Sequence, residues 1–134
     1  MKTRLLALLF TAAFLVQGCV AVIPLVVAVM DDGATVVAEV PVSAETVYAK
    51  TVELAEGNDK LTITEKDEAK HYIHVTRGDD EASLKAVPLS AHRSQMIIMT
   101  DIDGENGDGN KQLALNVAKT ICDKLGVEYQ VVED

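Results

Sequence analysis

Four carboxylates fall within eight residues, Asp101, Asp103, Glu105 and Asp108, in an acidic glycine-rich run from Asp101 to Asn110. Closely spaced oxygen ligands with glycines that permit tight turns are what a hard cation such as calcium requires. An EF-hand loop also needs Gly at its sixth position and Glu at its twelfth. Counted from Asp101 these are Asn106 and Gln112. The four residues stand as a candidate metal site, with a solvated loop as the preferred reading. His71 and His74 are three apart, so on a strand they point to opposite faces and cannot hold one ion there; His92 lies in a turn. Cys122 sits within a helical apolar stripe, not at a helix N-terminus where its pKa would fall. No serine occupies a Gly-x-Ser-x-Gly elbow. These patterns predict no catalytic residues, no enzyme activity and no cofactor.

The second cysteine carries different chemistry. Lys2 and Arg4 precede an uncharged apolar run, Leu5 to Val16, which ends on Gln17-Gly18-Cys19. A basic segment, an apolar segment and a small residue before a cut form a secretory signal. Ending on Gly18-Cys19, it resembles a bacterial lipoprotein signal. Val16 at −3 and Gly18 at −1 fit that pattern, and Gln17 at −2 departs from its usual small residue. The resemblance implies cleavage before Cys19, a thioether lipid on Cys19 and three acyl chains, a hold far firmer than one chain provides. Val20 stands where an inner-membrane retention aspartate would be. By the same resemblance this implies an outer-membrane lipoprotein facing the periplasm. The alternative is an uncleaved inner-membrane anchor, because the uncharged run continues to Met30 and from Leu5 spans 26 residues, enough to cross a bilayer. In both cases Lys2 and Arg4 stay cytoplasmic and the remainder lies outside. The expected division is a signal peptide 1–18, a lipidated cysteine and apolar tether 19–33, and one domain 34–134.

Charge narrows the partners. The chain has 12 basic and 21 acidic residues, a net charge of −9; loss of Lys2 and Arg4 makes it −11. Nucleic acid binding draws its affinity from Lys and Arg on phosphates, so a nucleic-acid partner is not expected. Both phenylalanines, Phe10 and Phe14, lie in the signal, and Trp is absent. The domain must build an aliphatic core, and it lacks platforms for base stacking. With Cys19 lipidated, Cys122 has no partner within the chain and reads as a buried small hydrophobe.

The elements that must position these residues follow from periodicity. Thr35 to Val40 alternates, with Val36, Ala38 and Val40 on one face. Ser43 is a good N-cap, and Ala44, Val47, Tyr48, Thr51, Leu54 and Ala55 form a helical stripe that Gly57-Asn58 ends in the left-handed manner. Strands are expected at Leu61–Glu65, His71–Arg77, Ala82–Leu89 and Ser94–Ile102. A second helix, Lys111 to Leu125, carries Ala114, Val117, Ala118, Ile121, Cys122 and Leu125 on one face, and Gly126 caps it. Val127 to Val132 offers a further short strand. The expected fold is α+β: an antiparallel sheet of about five strands with two helices on one face, order β-α-β-β-β-β-α. This order resembles helix-grip and TATA-binding-protein-like layouts, a likeness that carries no function.

Taken together, Gly18-Cys19, the Pro41-to-Tyr48 helix start, Leu61-to-Lys66, Val87-to-Ser90 and Gly107-Asp108 resemble a family of small bacterial lipoproteins whose shared domain has no assigned function. The resemblance covers nearly the whole chain and implies no catalytic residues; the acidic loop is its departure. Two function classes follow. One is a non-catalytic envelope module, held in membrane lipid through Cys19 and presenting a sheet face to a protein or wall partner. The other is a ligand or calcium binder using the loop 101–110.

Overall fold

A computed structural model describes residues 23–30, 33–102 and 107–133. Nine elements follow in order: β1 (Ile23–Met30), β2 (Gly33–Val40), α1 (Ala44–Glu56), β3 (Thr62–Asp67), β4 (Tyr72–Arg77), β5 (Asp80–Ser90), β6 (Arg93–Asp101), α2 (Gly107–Leu125) and β7 (Tyr129–Glu133). The seven strands form one sheet, β3-β4-β5-β6-β2-β1-β7. Every pair is antiparallel except β1 with β7. Both helices pack on one face, α1 over β4, β5 and β6, and α2 over β1, β2 and β6. The α+β class and the two-helix layer match the sequence reading. The sheet is larger and mixed, and the order is β-β-α-β-β-β-β-α-β.

The largest difference is β1. The residues assigned to a tether, 19–33, contain a strand from Ile23 to Met30 set between β2 and β7. Ile23, Leu25 and Val27 are buried under α2, while Pro24, Val26 and Ala28 face outward. An unbroken apolar run does not reveal the period of two that marks a half-buried strand. Pro24 fits because strand amides alternate in direction. The Ile23 N–H donates to the Glu128 carbonyl on the β7 side at 2.8 Å. The Pro24 nitrogen therefore faces β2, where the ladder begins only at Val26. The domain thus begins by Ile23, and the 26-residue span considered as a membrane anchor loses its last eight residues to the sheet. No helix among the described residues is long and apolar enough to cross a membrane.

The helices form as their sequences predict, apart from their ends. Ser43 caps α1 by accepting from the Thr46 N–H at 3.2 Å, and Ala44, Val47, Tyr48 and Ala55 are buried. Gly57 is right-handed, φ −79°, not left-handed. Asn58 turns the chain instead, its side chain accepting from the Lys60 N–H at 3.0 Å. Helix α2 starts one turn earlier than expected, at Gly107. Gly126, φ +72°, ends it in a Schellman closure: Val127 N–H to Cys122 carbonyl at 3.0 Å and Gly126 N–H to Asp123 carbonyl at 3.2 Å.

The core is aliphatic, and the described residues contain neither Phe nor Trp. Leu25, Val36, Val47, Met96, Ile98 and Ile121 are among its fully buried side chains; among the described residues Tyr48 is its one buried aromatic, and half-buried Tyr129 packs against the core. Cys122 is fully buried and free.

Candidate functional site

The two helices do not close completely over the sheet. Between the C-terminal half of α1, the middle of α2 and the inner faces of β4 and β5 lies a cleft of about 310 Å³. Its floor is Ile73, Val75 and Leu84, and its sides include Leu54, Leu113 and Val117. Because Cβ atoms alternate along a strand, Ile73, Val75 and Arg77 share the helix-facing side of β4. Their partners Leu84, Ala82 and Asp80 do the same on β5. The cleft therefore runs toward the β4–β5 turn, the end of the sheet opposite Ile23.

Polar groups in the walls are largely used up locally. Thr51 Oγ1 donates to the Val47 carbonyl and Thr120 Oγ1 to the Asn116 carbonyl, both at 2.8 Å. The Asn116 side-chain oxygen accepts from Gln112 at 3.1 Å. At the rim, Arg77 Nη2 lies 3.3 Å from Asp80 Oδ2, and the arginine side chain is about half exposed. Neither His nor Cys lines the cleft. Such a wall offers mainly aliphatic surface, with its charged groups at the rim.

None of the described residues singled out in the sequence for their chemistry lines this cleft. Cys19, Asp103 and Glu105 lie outside the described residues. Asp101 ends β6 and is exposed; Asp108 lies in the first turn of α2, where its charge favours the helix dipole. Among the described residues, no three His, Cys, Asp or Glu side chains gather to hold an ion. His71 is not on a strand but in the turn before β4, φ +51°, with its ring edge-on to Tyr48 at 6.0 Å. His74 sits on the outer sheet face, against Thr64 Oγ1 and 3.7 Å from Glu81. His92 is exposed in the β5–β6 turn. Burial, and secondarily the neighbouring Asp123, push the Cys122 thiol up to about 11. That makes it a poor nucleophile. Burial, then the carboxylates Glu68, Asp67 and Glu56, also raise the Tyr48 hydroxyl.

Nothing in the sequence marks the cleft. Leu54, Val75 and Val117 satisfy the same periodicity as any core residue, and only the third dimension shows that α2 stops short of β4. In sequence, Arg77 and Asp80 only flank the Gly78-Asp79 turn, with no sign that they meet at a rim.

The outer face of the sheet is the other feature of note. Val26, Val37, Ile97 and Met99 lie on it; Val26 is 37% and Met99 49% exposed. Leu89, also 49% exposed, is the extra residue of a bulge before the β5–β6 turn.

No protein-family model and no curated protein matches the chain. Two solved structures resemble it. A solution NMR structure from Thermobifida fusca shares 15% identity, covering 73% of this chain and 97% of that one, with a TM-score of 0.49. The crystal structure of the Zhui aromatase/cyclase from Streptomyces sp. R1128 shares 13% identity, covering 75% and 87%, with a TM-score of 0.42. Neither likeness bears on what this chain does.

Proposed function

We propose that this chain is a lipid-anchored envelope protein of the outer membrane, facing the periplasm, and that its domain is a non-catalytic module binding a small apolar molecule in the cleft. The anchor rests on the Gly18-Cys19 signal. The resemblance to small bacterial lipoproteins rests on the same stretch and the helix-start motifs. The binding function is carried by one observation, the aliphatic cleft of about 310 Å³ under two helices. This volume is at the lower end of ligand pockets, and about twice that of an engineered cavity that accepts benzene. It suits an aliphatic chain or alicyclic ring of about ten carbon atoms. The Arg77–Asp80 pair at the rim suits a polar head group that faces water.

The test is extraction. Protein purified from its own envelope and denatured in organic solvent should release an apolar molecule at about one per chain, identified by mass spectrometry. Val117→Phe, which fills the cleft, should release severalfold less while keeping the far-ultraviolet circular dichroism of the parent. Equal release from parent and variant would sink the reading. The calcium alternative retains Asp101 and Asp108 at the two ends of the loop, and its test is given in the Discussion.

A further inference from the structure

The cleft ends in a pair of opposite charges whose position the backbone dictates. Arg77 and Asp80 form the last pair of the β4–β5 ladder and flank the two-residue turn Gly78-Asp79. Gly78, φ +63°, takes the first turn position, where a II′ turn needs glycine. Residues opposite each other on a ladder share a face, so both side chains stand on the helix side, at the mouth. Arg77 Nη2 donates to Asp80 Oδ2 at 3.3 Å, and the Asp80 side chain is only 25% exposed.

The rest of the cleft sets no charge against this pair. Of the lining residues, Arg77, Asp80 and Glu81 alone carry charge. Glu81 pairs with Thr76, one residue out of step with Asp80, and its carboxylate turns to the outer sheet face, 3.7 Å from His74 Nε2. Asp79, in the turn, is exposed, and salt screens its charge. Among the described residues, no buried side-chain nitrogen or oxygen lacks a hydrogen-bond partner. A ligand's polar group therefore finds its partners at the mouth, where the charges of Arg77 and Asp80 cancel. Asn58 adds an uncharged amide at the same end: it lines the cleft just before β3, whose first residue pairs with Thr76.

We propose that the cleft selects an uncharged amphiphile, an aliphatic chain or ring that ends in a hydroxyl or an amide. The proposal rests on the reading of the cleft as a binding site and adds the nature of the head group. A hydroxyl accepts from an Arg77 N–H and donates to an Asp80 oxygen, so it joins the pair without splitting it. A carboxylate head reaches the guanidinium only in competition with Asp80. It also sets a second negative charge beside a side chain largely shielded from water. An ammonium head meets the converse, attracted by Asp80 and repelled by Arg77. Both ions give up hydration on entering the mouth, a cost that an alcohol largely avoids. The aliphatic part contributes alike in all three, since it buries the same area.

The experiment uses the full chain, purified in non-ionic detergent and exchanged until bound molecules are removed. It is dialysed to equilibrium against decanol, decanoate or decylamine at about pH 7.5, where the acid and the amine are both ionised. Val117→Phe, dialysed in parallel, measures uptake by the micelle and by the chain outside the cleft. Above that background the parent should bind decanol about tenfold or more tightly than decanoate or decylamine. Asp80→Asn removes the carboxylate that holds the guanidinium and should raise decanoate affinity severalfold; Arg77→Gln should do the same for decylamine. Equal uptake of all three by the parent, or preference for either ion, would overturn the head-group assignment and leave the cleft an apolar site. No uptake above Val117→Phe for any of the three would overturn the cleft reading and this proposal together. Selectivity unchanged in both rim variants, each with the far-ultraviolet circular dichroism of the parent, would show that the pair does not read the head group and would overturn the proposal alone. The comparison of three probes on the parent decides the matter even where a rim variant fails to fold.

Discussion

Thr100 and Asn110 are locked together across the acidic loop: Thr100 Oγ1 donates to the Asn110 carbonyl at 2.9 Å, while Asn110 Oδ1 accepts from the Ile102 N–H at 2.8 Å. Both residues are buried, Asn110 at 1% exposure. The end of β6 is thereby tied to the first turn of α2. Asn110→Ala removes the acceptor of a partly buried N–H. A cost of about 1–3 kcal/mol is expected, read as a lower urea midpoint. A midpoint unchanged from the parent would show that the clamp does not hold the loop base.

Gly33 is required by proximity. A Cβ built there would stand 2.3 Å from the Thr100 carbonyl oxygen, a backbone atom of the neighbouring strand. Gly33→Ala must push β2 away from β6, at a cost of about 1–3 kcal/mol. Thermal melting should drop accordingly; an equal or higher melting temperature would contradict the close approach.

The Cys122 thiol should react slowly. With its pKa at about 11, the thiolate at pH 8 is roughly two orders of magnitude scarcer than for an ordinary cysteine, before burial is counted. Native protein should resist iodoacetamide and denatured protein should not. The same shift favours the folded state while the thiol is neutral. This stabilisation is fully present below the unfolded value of ~8.5 and lost as pH rises toward about 11. Tyr48 adds a loss of the same sign at higher pH. In Cys122→Ala the urea midpoint should decline less steeply between these limits; an identical slope would contradict the assignment.

Calcium should have no specific effect. A bound ion would stabilise the fold by about 2.7 kcal/mol at a hundredfold excess over Kd. That would raise the melting temperature by several degrees. With Asn106 and Gln112 in place of the EF-hand Gly and Glu, millimolar calcium should match sodium of equal ionic strength. A calcium-specific rise lost in Asp101→Asn/Asp103→Asn would establish the loop as a metal site.

The anchor has a direct readout. Intact mass of membrane-extracted protein should correspond to a chain that starts at Cys19 and carries lipid, and Cys19→Ser should abolish that modification. A mature chain that begins at Met1 would refute it.

The helices were legible because each repeats its apolar residues on one face, from Ala44 to Ala55 and from Ala114 to Leu125. The caps at Ser43 and Gly126 were legible because a hydroxyl acceptor and a left-handed glycine have few other uses. β1 was not, because Ile23 to Met30 continues the uncharged apolar run that begins at Leu5 without alternation, and such a run does not show a strand's period of two. β7 was marginal because Tyr129 to Glu133 is short and finds its partner about a hundred residues upstream. The cleft was hidden because it is a gap between elements, and periodicity reports which face is apolar, not how far a helix extends over its sheet.

The parallel pairing of Ile23 with Tyr129, through to Val27 with Glu133, also governs how the chain can assemble. Bringing together residues that far apart closes a long loop, an entropic cost met before the contacts return any stabilisation. β1 stays open along one edge until Glu133 has been synthesised. The sheet is therefore completed only when the last strand of the chain arrives, so a ribosome-bound or C-terminally truncated chain keeps an unpaired strand edge beside β2.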